Sequence, residues 1–239
     1  MDLPRPAARL IVTPLPGPGE TVRIAGAEAG HARARRLARG DRVVLVDGSG
    51  REAEGVVERA GASALEVAVE IVREVAEQDP AVALLVSGVR PERLDWIAEK
   101  ATELGIARLV LVAAERAQAF RASAARAGRL ARVVCEAAKQ CERARWPQVT
   151  GPLRLEDALA EPSRHRFFLD LPAAPFPRSL EPAPAALLVG PEGGWSEAER
   201  NAARRSGWTA VRLPAGKLRT ETAAIAGLVL LRAAFDRVV

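Results

Sequence analysis

The sequence predicts an α/β protein in two parts: a small β-barrel domain with one helix over residues 1–75, then a mostly parallel sheet covered by helices over residues 80–239. Three observations predict it. Short runs of β character crowd the first 71 residues around a single helical stretch. From Val82 onward, apolar runs alternate with amphipathic segments of helical period, the arrangement that gives parallel strands. Two of the late runs end in glycine loops that lead into helices, the local pattern of a small-molecule cleft.

In the first part, Arg9–Val12, Thr21–Ile24, Arg42–Val46, Ala53–Arg59 and Ala64–Ile71 read as strands, because apolar and β-branched residues concentrate between turn residues. Asp47-Gly48-Ser49-Gly50 is a hairpin turn between two of them. Ala27–Ala38 reads as the helix. Val72–Pro80, with Glu74, Glu77, Gln78 and Asp79 ahead of the proline, reads as the linker.

In the second part, Val82–Ser87 is a continuous apolar strand, and Pro91–Leu104 a helix with Leu94, Ile97, Ala101 and Leu104 along one face, ended by Gly105. Leu109–Val112 is the next strand. Ser123–Arg143 is a long helix with Leu130, Val133, Val134, Ala137 and Ala138 as its buried stripe. Arg166–Asp170 and Ala185–Val189 are strands joined by the proline-rich stretch Pro172–Pro184. Ser196 and Glu199 form the serine-x-x-glutamate box that starts a helix, and Gly207 stops it. Thr209–Leu213 is the last strand, and Thr220–Val238 the last helix, with Ile225, Leu228, Leu231 and Phe235 on its apolar face.

Composition narrows the function. The 239 residues are 49% hydrophobic and 27% charged, an ordinary globular balance. The net charge of +5 is uneven: residues 80–150 carry 12 basic and 7 acidic groups, while residues 1–79 carry 11 and 13. Arg33, Arg35, Arg36, Arg39 and Arg42 form a separate cluster, and arginine forks suit phosphates. No stretch approaches the roughly 20 apolar residues of a membrane span, and the first residues lack a secretory apolar core, so a cytoplasmic chain is expected. With two histidines, His31 and His165, and two cysteines, Cys135 and Cys141, a histidine triad or metal cage lacks partners, and no metal is expected.

The chemistry concentrates in two segments, Leu187-Leu188-Val189-Gly190-Pro191-Glu192-Gly193-Gly194-Trp195 and Leu213-Pro214-Ala215-Gly216-Lys217-Leu218-Arg219-Thr220-Glu221-Thr222. The first is too short for a nucleotide-hydrolase phosphate loop and lacks its terminal lysine, and it lacks the dinucleotide spacing. An arginine at a helix entrance, as Arg219 is, gains nothing from the positive end of the helix dipole, so a buried or ligand role explains it better. Thr220 and Thr222 read as helix caps whose hydroxyls also reach the cleft. Trp195 fits either packing or base stacking.

These two segments resemble the signature loops of the SPOUT-class RNA methyltransferases, in the branch called RsmE, which methylates uracil N3 in small-subunit (16S) ribosomal RNA. Leu94-Asp95-Trp96-Ile97-Ala98-Glu99-Lys100-Ala101-Thr102-Glu103-Leu104-Gly105 and Glu136-Ala137-Ala138-Lys139-Gln140-Cys141-Glu142-Arg143 add to the likeness, in the family's order. The first part is similar to the family's PUA-like barrel through Pro4-Arg5, His31, Arg36 and Gly40-Asp41. It departs from the pattern in Ala34-Arg35 and in a spacing one residue short before Gly40.

The resemblance implies a trefoil-knotted methyltransferase domain and a homodimer acting on ribosomal RNA or the small ribosomal subunit. It also implies S-adenosylmethionine held by Leu188, Val189, Gly190, Pro191, Gly193, Gly194, Leu213, Pro214, Gly216, Leu218, Thr220 and Thr222. RNA contact falls to Arg5, Arg33, Arg35, Arg36, Lys100, Gln140 and Arg143. Uracil N3 becomes a nucleophile only when its proton leaves, so the site needs an acceptor, Glu192 or Glu221, and a donor to the flanking carbonyls, Arg219. The rival readings are a related enzyme that methylates ribose 2′-hydroxyls or another base, and a non-catalytic RNA-binding assembly factor.

Overall fold

In the computed structural model, residues 6–76, 79–116 and 124–236 are described, with backbone alone for 124–127. The chain divides into two units, Met1–Glu77 with Ala138–Trp146, and Gln78–Ala137 with Pro147–Val239.

In the first unit, strands β1 (Ala8–Ile11), β2 (Thr21–Ala25), β3 (Arg42–Val46), β4 (Arg51–Ala60) and β5 (Ala64–Glu74) form one sheet in the order β1-β3-β4-β5-β2. β1 runs parallel to β3, and the other pairs are antiparallel. Alternation along the strands puts Val43, Leu45, Ala53, Val57, Leu65, Val67 and Val69 into one core. The edge strands β1 and β2 do not pair with each other. Helix α1 (Gly26–Ala34) contacts both of them and β5, and its Ala32 enters the same core, so the helix fills the gap a closed barrel would not have. The expected hairpin turn is present, with the Ser49 amide donating to Asp47 Oδ1 at 3.0 Å.

Helix α1 ends at Ala34, short of the expected Ala38, because Arg36 takes a left-handed conformation (φ 58°) and the Leu37 amide turns back to the Ala32 carbonyl at 3.0 Å. Ala138–Trp146 joins this unit through Lys139, which pairs with Glu28 at 2.9 Å.

The second unit contains β6 (Val82–Ser87), α2 (Pro91–Glu103), β7 (Arg108–Ala113), most of α3 (Ala124–Gln140), β8 (Gln148–Arg154), α4 (Leu155–Ala158), β9 (His165–Pro175), β10 (Ala185–Val189), α5 (Glu197–Arg205), β11 (Thr209–Arg212) and α6 (Thr220–Phe235). Its sheet has the order β11-β9-β10-β6-β7-β8, and every neighbouring pair is parallel. β6 and β10 are buried along their whole length, as continuous apolar strands covered on both faces must be. Ala186 and Leu188 pack with Leu155, Ala158 and Ala203 of α4 and α5, while Leu187 faces Gly227 of α6 on the other side. Two elements, β8 and α4, were not expected from the sequence, and β9 continues five residues past Asp170, four of them in the proline-rich stretch.

Arg232 of α6 fastens this unit. It donates to the Pro80 carbonyl at 2.8 Å, to Leu104 at 3.2 Å and to Gly105, so one guanidinium closes the carbonyl end of α2. Among the described residues, no helix is long and apolar enough to cross a membrane, and no group of three His, Cys, Asp or Glu is placed to share a metal ion.

Candidate functional site

Both signature loops leave the carboxyl ends of parallel strands, where α/β sheets open a crevice. The first, Gly190–Gly194, runs from β10 to α5, and the second, Leu213–Arg219, from β11 to α6. Two bonds shape the first loop. The Ser196 amide donates to Glu199 Oε2 at 2.8 Å and the Glu199 amide to Ser196 Oγ at 3.3 Å, the capping box expected from the sequence. Thr220 Oγ1 then donates to the Gly190 carbonyl at 3.0 Å and ties the two loops together. The cap of α6 is Arg219, without a side-chain bond to the helix, so Thr220 acts as a clasp between loops where a cap was expected.

Between the loops lies a cleft of about 380 Å³, within the range of small-molecule sites. Val189, Gly190, Pro191, Gly193, Gly194, Leu213, Gly216, Leu218 and Thr220 line it, all named from the sequence. Leu188, Pro214 and Thr222 do not. Leu188 is 1% exposed in the core, with β-strands on both sides, and Pro214 lines a different cavity beside Phe176. Trp195 sits beneath Gly190 with its Nε1 donating to the Leu169 carbonyl at 3.1 Å and is 3% exposed, so it packs in the core while also contributing to the cleft lining.

The cleft also has walls the sequence did not single out: Leu169, Val211 and Ala223 are apolar, and Asp170 and Arg200 form an ion pair at 2.9 Å. The hydrogen bond from Arg200 to Asp170 pushes the guanidinium pKa above its ordinary value. Fit to a nucleoside-type cofactor rests on two features. An ideal Cβ at Gly216 would meet nothing within 4 Å, so that loop leaves open space beside its backbone. The apolar wall beside a buried carboxylate can hold a planar base and hydroxyl groups.

A second cavity of about 440 Å³ shares Pro191, Glu192, Gly193 and Thr220 with the cleft. Arg219 and Glu221 line this cavity, joined by Arg90, Arg93 and Arg116, which no motif in the sequence marks. Glu221 is buried and pairs with Arg93 at 3.4 Å. Glu192 is exposed and lies on the wall between the two cavities.

The expected RNA-contact residues divide. Arg5 lies outside the described residues. Arg33 and Arg36 line a groove of about 300 Å³ in the first unit with Ala60–Ala62, and Arg35 is exposed. Gln140 and Arg143 belong to the first unit, and neither lines either cavity. Lys100 donates to Glu99 at 2.7 Å and Glu103 at 2.9 Å, and those bonds hold its pKa above the usual lysine value. Its charge is compensated within its own helix.

The fold and this site define a class: a parallel α/β domain with a small-molecule cleft between two glycine loops, carried with a small β domain. The chain matches the RNA methyltransferase domain family over residues 77–232 and the RNA methyltransferase PUA domain family over residues 24–70. It is 35% identical over 230 residues to the ribosomal RNA small subunit methyltransferase E of Mycobacterium bovis, covering 91% of this chain and 88% of that protein. A Legionella pneumophila protein solved with its cofactor S-adenosylmethionine is 26% identical with a TM-score of 0.83, over 95% of this chain and 97% of that one. The Neisseria gonorrhoeae ribosomal RNA small subunit methyltransferase E, 24% identical, shares the fold at a TM-score of 0.84 over 94% and 96% of the two chains. The chain belongs to this RNA methyltransferase family.

Proposed function

We propose that the protein transfers a methyl group from S-adenosylmethionine to uracil N3 in 16S ribosomal RNA. The observation that carries this is the wall common to the two cavities, because a methyl donor and its acceptor must meet across one surface, and Glu192 and Thr220 stand on it. S-adenosylmethionine would be held in the cleft by Leu169, Val211 and Leu218 around its base and by Asp170 at its ribose hydroxyls. Bound there, it supplies an electrophilic methyl on a sulfonium.

The remaining work falls to side chains. Arg219 donates to a uracil carbonyl oxygen and stabilises the negative charge that appears when the N3 proton leaves. Glu192 takes that proton, because it faces both cavities while the Glu221 carboxylate is engaged by Arg93. Holding the two reactants at a fixed approach removes the entropic cost of their encounter.

The first unit, with Arg33, Arg35 and Arg36, grips RNA backbone, and the second unit, residues 78–137 with 147–239, forms the catalytic domain. The chain between β10 and α6 threads as a trefoil knot, and the protein works as a homodimer in the cytoplasm, where ribosomal subunits are assembled. Trp96 on α2 and Val229 on α6, exposed large apolar side chains on two touching helices, support the dimer.

Incubation with S-adenosylmethionine and unmodified small ribosomal subunits, followed by mass spectrometry of the digested RNA, tests the reaction. 3-Methyluridine is expected. A ribose-methylated nucleoside would replace the target, and no product would bring forward the non-catalytic assembly factor.

A further inference from the structure

The second cavity has more positive charge than the chemistry of one uracil requires. Four guanidinium groups from three separate parts of the chain line it: Arg90 and Arg93 at the start of α2, Arg116 after β7, and Arg219 at the start of α6. Against them stand two carboxylates, and one of these, Glu221, is taken up by Arg93. Among the described residues, the Arg90 and Arg219 side chains have no partner in a hydrogen bond or ion pair. Unpaired arginines around a cavity of about 440 Å³ are costly to gather unless an anion joins them.

The position of Arg116 is built rather than incidental. Glu199, the capping residue of α5, also accepts from the Glu115 amide at 2.8 Å through its second oxygen. Arg116 Nη1 reaches the Gly193 carbonyl at 3.4 Å, and its Cβ lies 3.3 Å from where a Gly193 Cβ would be. The glycine loop and this arginine are therefore held as one wall. The amino ends of α2 and α6 add their partial positive charge on the same side, each with an arginine as the flanking residue and no side-chain cap.

We propose that this cavity seats a backbone phosphate of the RNA strand next to the target nucleotide, with Arg90, Arg93 and Arg116 as its binding residues. The proposal rests on the methyltransferase reading and extends it. Anchoring the phosphate at Arg90 and Arg116 leaves the attached base to reach Glu192 and Arg219 on the shared wall. An oxyanion could also come from the carboxylate of the cofactor. Three arginine forks favour a phosphodiester, which offers acceptor oxygens to more than one of them.

The test measures equilibrium binding of unmodified small ribosomal subunits between 50 and about 200 mM salt, with S-adenosylmethionine affinity measured separately by calorimetry. Arg90→Ala and Arg116→Ala are exposed-site changes, so the fold tolerates them. Each is expected to weaken RNA binding about five- to tenfold and to flatten the slope of log K against log salt by about 0.7 to 0.9, with cofactor affinity unchanged. Arg116→Lys, which keeps the charge, should restore the slope. A wild-type slope in both alanine variants overturns the proposal, as does a loss of cofactor affinity with RNA binding intact, which would assign the cavity to the cofactor carboxylate. Because binding is read without turnover, failure to form 3-methyluridine would overturn the reaction assigned above and leave the salt slope to decide the phosphate site.

Discussion

Two glycines on the same cleft should respond to alanine in opposite ways. At Gly190 an ideal Cβ would lie 2.7 Å from Trp195 Cε2, closer than real contacts allow. The indole cannot retreat freely, since it is 3% exposed, packs with Phe168 and Leu188, and donates to the Leu169 carbonyl. Overpacking costs about 1–3 kcal/mol and the lost hydrogen bond about 1 kcal/mol, so Gly190→Ala should destabilise the fold by about 2–4 kcal/mol. At Gly216 a Cβ meets nothing within 4 Å, and the backbone is outside the left-handed region. Gly216→Ala should therefore leave stability unchanged or raise it by about 0.4–1 kcal/mol through the unfolded chain. Its methyl group still occupies space on the cleft lining, and S-adenosylmethionine binding should weaken at least tenfold, or about 1.4 kcal/mol. Urea denaturation and calorimetry on both variants separate the two effects. Wild-type cofactor affinity in Gly216→Ala would refute the placement of cofactor against the second loop, and a wild-type urea midpoint in Gly190→Ala would refute the steric argument.

Other changes probe other links. Arg219→Ala should abolish methyl transfer while urea denaturation stays that of the wild type, because the side chain is exposed and unpaired; substantial turnover would remove its assigned role. Arg232→Leu strips the donor from the Pro80, Leu104 and Gly105 carbonyls and should cost about 2–4 kcal/mol in the same denaturation assay, a loss that a mere surface arginine would not show. Arg36→Gly relieves a left-handed residue and should raise stability by up to about 1 kcal/mol while flattening the salt dependence of RNA binding. An unchanged salt slope there would move the RNA footprint away from this groove.

How much was legible depended on whether the signal was local. β3, β6 and β10 fall where the sequence put them because each is a continuous apolar run between polar turns, and the box of Ser196 and Glu199 is a four-residue signal that needs nothing distant. β8 was invisible because Gln148–Arg154 is an edge strand with no apolar period and Gly151-Pro152 in its middle. The far end of β9 was hidden by its prolines. β10 pairs with it only through Phe168, and Ala174 and Pro175 pair with β11 alone, so the missing proline donors cost little there.

The site followed the same rule, with one instructive exception. The two glycine loops were found because each is contiguous, whereas Asp170, Arg200 and the arginines of the second cavity come from segments scattered over the chain. Yet Arg90 precedes Pro91 at the start of α2 as Arg219 precedes Thr220 at the start of α6, and neither has a side-chain cap. The dipole argument that singled out Arg219 applies to Arg90 without change. A cation placed where the helix field repels it is informative in proportion to that penalty, and two such cations facing one cavity make an anion between them the simplest source of compensation. The capping box strengthens the point, since Glu199 spends one carboxylate oxygen on starting α5 and the other on holding Glu115, which sets Arg116 against the glycine loop. A signal legible as helix initiation is thus also the strut of the second cavity, and that second role appears only when β7 and α5 are brought together.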